Sequence, residues 1–197
     1  MLIISHRVNT ITDLINTPLN YGIEVDLRDF NENIILAHDP FTDGVQLMSF
    51  LKFYNHSFII LNIKSERIEY KVLEIIKLYN IKNYFLLDSS IAMINNLIKI
   101  GEKNIAIRYS EYESIETVLN FANKVNYVWV DCFYDYILNN SIFKLLKNNN
   151  FLICIVSPEL QNRELDIIQY IHFLKNEYID PDFVCTKSKF IDTWENI

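Results

Sequence analysis

A chain of 197 residues, half of them hydrophobic, can bury one substantial core, so a single domain over residues 1–197 is the expectation. A net charge of −7 and a pI near 5.1 exclude a basic nucleic-acid-binding face, so an anionic ligand must be held by local charges acting against the global field. No apolar run approaches the roughly eighteen residues of a membrane span, and the first residues carry no basic leader. Cys132, Cys154 and Cys185 lie far apart inside apolar runs, a pattern that argues against zinc and for a reducing compartment, so a cytoplasmic location is expected.

The first apolar run, residues 2–6, ends in His6-Arg7. The second, 22–27, contains Ile23-Glu24-Val25-Asp26-Leu27. On a strand this spacing sends Glu24 and Asp26 to one face and the three aliphatics to the other. Two carboxylates side by side on a buried face are costly without a cation between them, and a bound metal is the simplest resolution. A turn over 29–33 leads to a short strand, 34–37, which ends in His38-Asp39, and a helix is expected over 45–54. In the next run, 58–64, alternation places Ile60, Asn62 and Lys64 on one face and Leu61 and Ile63 on the other. Amphipathic segments at 67–79, 91–100, 114–124, 137–147 and 164–175 then alternate with apolar runs at 84–88, 104–108, 127–131, 151–156 and 183–186.

Near-continuous apolar strands alternating with helices predict a parallel sheet with helices outside it, and the count of eight units predicts a compact (β/α)8 TIM barrel. An open doubly wound sheet would normally carry a glycine-rich turn after a strand. Gly22, Gly44 and Gly101 are the only glycines, and they cannot build a phosphate-binding loop. In a barrel, reactive groups collect at the C-terminal strand ends. Polar residues do end the apolar runs here: His6-Arg7, Glu24 and Asp26, Asn62 and Lys64, Asp88, Arg108, Asp131, Ser157 and Lys187. Two histidines, a carboxylate pair and a lysine make up most of a metal-assisted phosphodiester-cleaving site. Asp88 and Asp131 read equally well as helix caps, His56 and His172 as structural, and Tyr127 and Trp129 as core packing, with Trp129 a candidate for the pocket rim.

His-Arg after the first strand, Glu-x-Asp in the second and His-Asp after a short hairpin together resemble the glycerophosphodiester phosphodiesterase family, within the phospholipase C-like barrel phosphodiesterases. The resemblance follows strand order over the whole chain, with its specific motifs confined to residues 6–64. It implies His6 and His38 as the acid and base, Glu24 and Asp26 as metal ligands, and Arg7 and Lys64 as phosphate-holding groups. It also implies a divalent cation, magnesium or calcium with manganese a further candidate, and a small-molecule phosphodiester substrate. Asn62 stands where the family has an acidic third ligand; its amide oxygen can still coordinate, at the cost of one negative charge, or Asp88 or Asp131 can replace it. The last strand ends Cys185-Thr186-Lys187 where a Thr-Asp pair is common, and the insertion many members carry after the second histidine is missing. The expected function is metal-dependent cleavage of a small-alcohol phosphodiester. The alternatives are a lyase releasing a cyclic phosphate from the same residues, and a sugar- or polyol-phosphate-binding barrel without turnover.

Overall fold

Strand and helix alternate along the chain as the apolar runs predict, in a computed structural model that describes residues 1–196. The chain divides into two compact units, Ile4–Ile100 and Met1–Ile3 with Gly101–Ile197.

The N-terminal unit contains β1 (Leu2–Ser5, of which Ile4 and Ser5 belong here), α1 (Ile11–Asn16), β2 (Gly22–Phe30), β3 (Asn33–Leu36) and β4 (Val45–Gln46). These are followed by α2 (Leu47–Leu51), β5 (Phe58–Ile63), α3 (Glu69–Leu78), β6 (Tyr84–Leu87) and α4 (Ile91–Lys99). Its parallel strands run in the order β1–β2–β5–β6, with Ser5 opposite Ile23, Asp26 opposite Asn62 and Ile60 opposite Phe85. All six residues of β5 are buried, as expected of a parallel strand covered on both faces. Each large aliphatic there contributes about 1.5–3 kcal/mol relative to an exposed position. Gly22 lets β1 and β5 approach closely: a β-carbon on it would displace the tip of Ile4 on β1 and press on Phe58 of β5.

Two local expectations change. The second strand is nine residues long, because its far half pairs antiparallel with β3 from Leu27 opposite Leu36 to Phe30 opposite Asn33. The turn between them is only Asn31 and Glu32, both with positive φ (45° and 65°), the left-handed pair that a tight two-residue hairpin needs. Without glycine at either position, the composition hid it. The helix expected over 45–54 is shorter, because Val45 and Gln46 are extended and pair with Leu36 and Ile35 before α2 begins.

In the C-terminal unit, β7 (Ala106–Tyr109), β8 (Tyr127–Val130), β9 (Leu152–Val156) and β10 (Phe183–Thr186) form a parallel sheet in that order, and Leu2 of β1 donates its N–H to the Asp182 carbonyl. Its helices are α5 (Ile115–Leu119), α6 (Asn140–Asn148), α7 (Ile167–Asn176) and α8 (Ile191–Glu195). Caps set several starts: Ser90, Ser114 and Asn139 accept from Met93, Thr117 and Ile142 N–H. The Asn139 cap explains why α6 starts three residues later than the apolar pattern suggests. Tyr127 and Trp129 are buried in the core, His56 donates from Nε2 to the Thr17 carbonyl, and all three cysteines are buried and free. Among the described residues no helix is long and apolar enough to cross a membrane.

Candidate active site

The site is assembled from the parallel half of β2 and the end of β5, with the loops that follow β1, β3 and β5, all within Ile4–Ile100. Because β2 and β5 run parallel in register, alternation sends Glu24, Asp26 and Asn62 to one face. The side chains meet accordingly: Asn62 Nδ2 donates to Glu24 Oε1 at 2.9 Å, and Lys64 Nζ stands 3.6 Å from Asp26 Oδ1. Both carboxylates are fully buried, and Asn62 is 7% exposed.

Burial of two neighbouring acids penalises their charged forms. Desolvation, and then the Asp26 charge, push the Glu24 carboxyl up to about 7, against the opposing hydrogen bonds from Asn62 and Arg7 and the charge of Lys64. Glu24 Oε2 accepts from the Arg7 backbone N–H at 2.8 Å and lies 3.8 Å from His6 Nε2. Asp26 Oδ2 accepts from Asn9 Nδ2 at 2.8 Å, with Arg7 Nε 3.8 Å away. One oxygen is left over on each of two residues. Asp26 Oδ1 and Asn62 Oδ1 are buried and have no hydrogen-bond partner among the described residues.

The cationic groups sit on specialised backbone. Arg7 adopts a left-handed φ of 56°, a conformation costing a residue with a β-carbon about 1–2 kcal/mol, and its N–H meets Glu24 from there. Lys64 also donates to Asp88 Oδ2 at 3.3 Å, and Asp88 is likewise left-handed, at 63°. His38 follows β3, where the Ala37 N–H donates to the Asp26 carbonyl at 3.0 Å. Its Nδ1 lies 2.7 Å from Asp39 Oδ1, a bond that holds the Asp39 carboxyl below its ordinary range. The structure thus joins His6, Arg7, Glu24, Asp26, Asn62 and Lys64 in one network of side-chain contacts. His38 is tied to it through main chain: Arg28 donates from Nε and Nη2 to the His38 carbonyl (3.1 and 2.9 Å) and from Nη1 to the Lys64 carbonyl (2.9 Å).

Sequence reasoning missed Asn9 and Arg28. Arg28 was accessible, because the alternation that pairs Glu24 with Asp26 reaches it one step later. Asn9 lies in a loop with no periodicity to flag it. Its amide makes a reciprocal pair with Asp26, accepting from the Asp26 backbone N–H at 2.9 Å through Oδ1.

The residues fit a hard divalent cation. Two carboxylates and an amide oxygen are the donors such ions take, and the two buried oxygens without a hydrogen bond belong to that set. Among the described residues no three His, Cys, Asp or Glu side chains are grouped to hold a metal.

The strand ends of the C-terminal unit are different. Asp131 is ion-paired with Arg108 and accepts from Trp129 Nε1 (3.0 Å) and Gln161 Nε2 (2.8 Å). With both oxygens occupied it is a poor replacement ligand. Glu159 is buried, accepting from Ser157, Thr186 Oγ1 (2.6 Å) and the Lys187 N–H (2.9 Å). The Lys187 ammonium donates to the Glu159 carbonyl at 3.0 Å. Asp88, the other candidate third ligand, is engaged with Lys64.

No family model and no curated protein sequence matches the chain. Solved structures do. A glycerophosphodiester phosphodiesterase from Agrobacterium tumefaciens str. C58 aligns over 100% of both chains at 13% identity, with a TM-score of 0.63. A glycerophosphoryl diester phosphodiesterase from Parabacteroides distasonis ATCC 8503 aligns with 98% of this chain and 86% of its own, at 12% identity and a TM-score of 0.65. At that identity the likeness speaks for architecture alone. The α/β fold of this chain is that of the glycerophosphodiester phosphodiesterase barrels.

Proposed function

We propose that the protein is a divalent-metal-dependent phosphodiesterase acting on a small-alcohol phosphodiester of the glycerophosphodiester type. One observation carries the reading: two buried oxygens, on Asp26 and Asn62, lack hydrogen-bond partners beside a Glu24 carboxyl pushed up to about 7, with His6, Arg7 and Lys64 in the same network. The shared fold with two phosphodiesterases supports it.

Glu24, Asp26 and Asn62 would hold the cation, which supplies charge neutralisation on the phosphate oxygens. Arg7 and Lys64 add positive charge for the same anion, in a chain whose net charge of −7 would otherwise repel it. His38, with Nδ1 held by Asp39, keeps Nε2 for proton transfer. His6 Nε2 stands 3.8 Å from Glu24 Oε2, beside the proposed cation ligands. One histidine removes the proton from the attacking oxygen as the new P–O bond forms, and the other protonates the alcohol oxygen as the old P–O bond breaks. Water as nucleophile gives a monoester; a neighbouring substrate hydroxyl gives a cyclic phosphate first.

The test is turnover of a panel of glycerophosphodiesters by chelator-treated protein, with Mg2+, Mn2+ or Ca2+ restored, followed by phosphorus NMR. Metal-dependent release of alcohol is expected, and the product spectrum separates hydrolase from lyase. Retention of a bound polyol phosphate with no turnover under any metal would replace the proposal with the binding-only alternative.

A further inference from the structure

We infer that Asn9 is a positioning residue that sets the metal preference of the site, by reserving one oxygen of Asp26 and so favouring a small, magnesium-like cation over calcium. The inference rests on the reading of Glu24, Asp26 and Asn62 as the cation site.

The segment after His6 engages one oxygen of each carboxylate and one main-chain carbonyl. The Arg7 N–H takes Glu24 Oε2, the Val8 N–H takes the Glu24 carbonyl at 2.8 Å, and Asn9 Nδ2 takes Asp26 Oδ2. Asn9 also accepts from the Asp26 N–H, so its amide closes a two-bond ring on that residue and fixes both backbone and side chain. Thr10 then caps α1, accepting from the Asp13 N–H at 3.0 Å, which anchors the loop beyond Asn9. On the other side Asn62 occupies Glu24 Oε1. The only carboxylate oxygen of the pair left without a hydrogen bond is therefore Asp26 Oδ1.

That allotment has a chemical consequence. Calcium takes six to eight oxygens and readily uses both oxygens of one carboxylate, whereas magnesium accepts single oxygens in a tight octahedron and keeps several waters. An aspartate whose second oxygen is engaged by an amide N–H offers one oxygen. Partners of this kind commonly alter metal affinity by about 10- to 100-fold when removed.

The experiment is calorimetric titration of the chelator-treated protein with Mg2+ and with Ca2+, for wild type, Asn9→Ala and Asn9→Asp. Asn9→Asp keeps the acceptor for the Asp26 N–H and exchanges the donor to Oδ2 for a charged oxygen, so it checks the alanine variant with one of the two loop bonds retained. The wild type is expected to prefer Mg2+, and the ratio of Ca2+ to Mg2+ affinity should rise about tenfold in both variants. The extra charge of Asn9→Asp should tighten both ions, yet move the ratio the same way. A wild type that binds both ions while the ratio stays constant across the three proteins overturns the role of Asn9 and leaves the cation site standing. A wild type that binds neither ion overturns both.

Discussion

Buried acids occur on or just after strands in both units of this molecule, and they are treated in opposite ways. In the C-terminal unit Asp131 and Glu159 have both oxygens occupied, Asp131 by Arg108, Trp129 and Gln161 and Glu159 by Ser157, Thr186 and the Lys187 N–H. In the N-terminal unit Glu24 and Asp26 stand side by side, equally buried, and the donors around them fall one short of saturation. A fully satisfied buried carboxylate holds its surroundings together; an under-satisfied pair is destabilising until a cation joins it. Burial alone does not distinguish the two. The count of donors does.

The largest effect that tests this contrast is catalytic. His6→Ala and His38→Ala should each lower turnover by about 100- to 10,000-fold while circular dichroism and melting behaviour are kept, because neither ring supports the core. An active preparation in which either variant works at the wild-type rate would remove that residue from the proton-transfer pair.

Removing one charge from each region should separate them in stability. Asp131→Asn breaks a buried ion pair and should cost about 3 kcal/mol in urea unfolding. Asp26→Asn relieves repulsion within the pair as it gives up the longer contacts to Lys64 and Arg7, so the metal-free protein should lose less stability than Asp131→Asn does, while its divalent-ion binding is lost. Equal destabilisation by both substitutions would dissolve the distinction between the two regions.

Proton linkage gives a third measure. The Glu24 carboxyl titrates at about 7 in the folded chain against an ordinary 4.5, so the folded state binds the proton more tightly than the unfolded chain does. The associated stability is fully present below about 4.5 and is lost as pH climbs through about 7, a decline of a few kcal/mol. Saturating Mg2+ should flatten this decline by replacing the proton with a cation. A metal-free stability profile that rises between pH 5 and 7 would contradict the burial of Glu24 as the dominant influence there.

The smallest effect concerns the neutral third member. Asn62→Asp adds a charged donor of nearly the same shape, and should tighten divalent-ion binding on the order of tenfold. Its effect on turnover follows from how far the added charge weakens polarisation of the phosphate. Unchanged affinity by calorimetry would put residue 62 outside the ligand set.

Much of this was legible in the chain because strands have a period of two. Glu24, Asp26, Asn62 and Lys64 fall on one face for that reason alone, and parallel pairing of β2 with β5 followed from the apolar character of both. What period cannot convey is how a loop turns back. Asn9 is invisible to it, the Asn31-Glu32 turn uses left-handed backbone without glycine, and Val45-Gln46 extends where helix propensity is permissive. The engagement of Asp131 depends on Gln161, thirty positions away, a pairing no local pattern encodes.

Arg28 carries an implication for how such a protein can change over time. Its guanidinium grips the carbonyls of His38 and Lys64 and leaves their side chains unread. A carbonyl is the same in every amino acid, so substitutions at either position leave this clasp intact. The arginine stays charged at any pH the protein meets. Scaffold and reagent are thereby uncoupled: selection, or an engineer, can exchange the reactive groups at positions 38 and 64 for others without rebuilding the loops that present them.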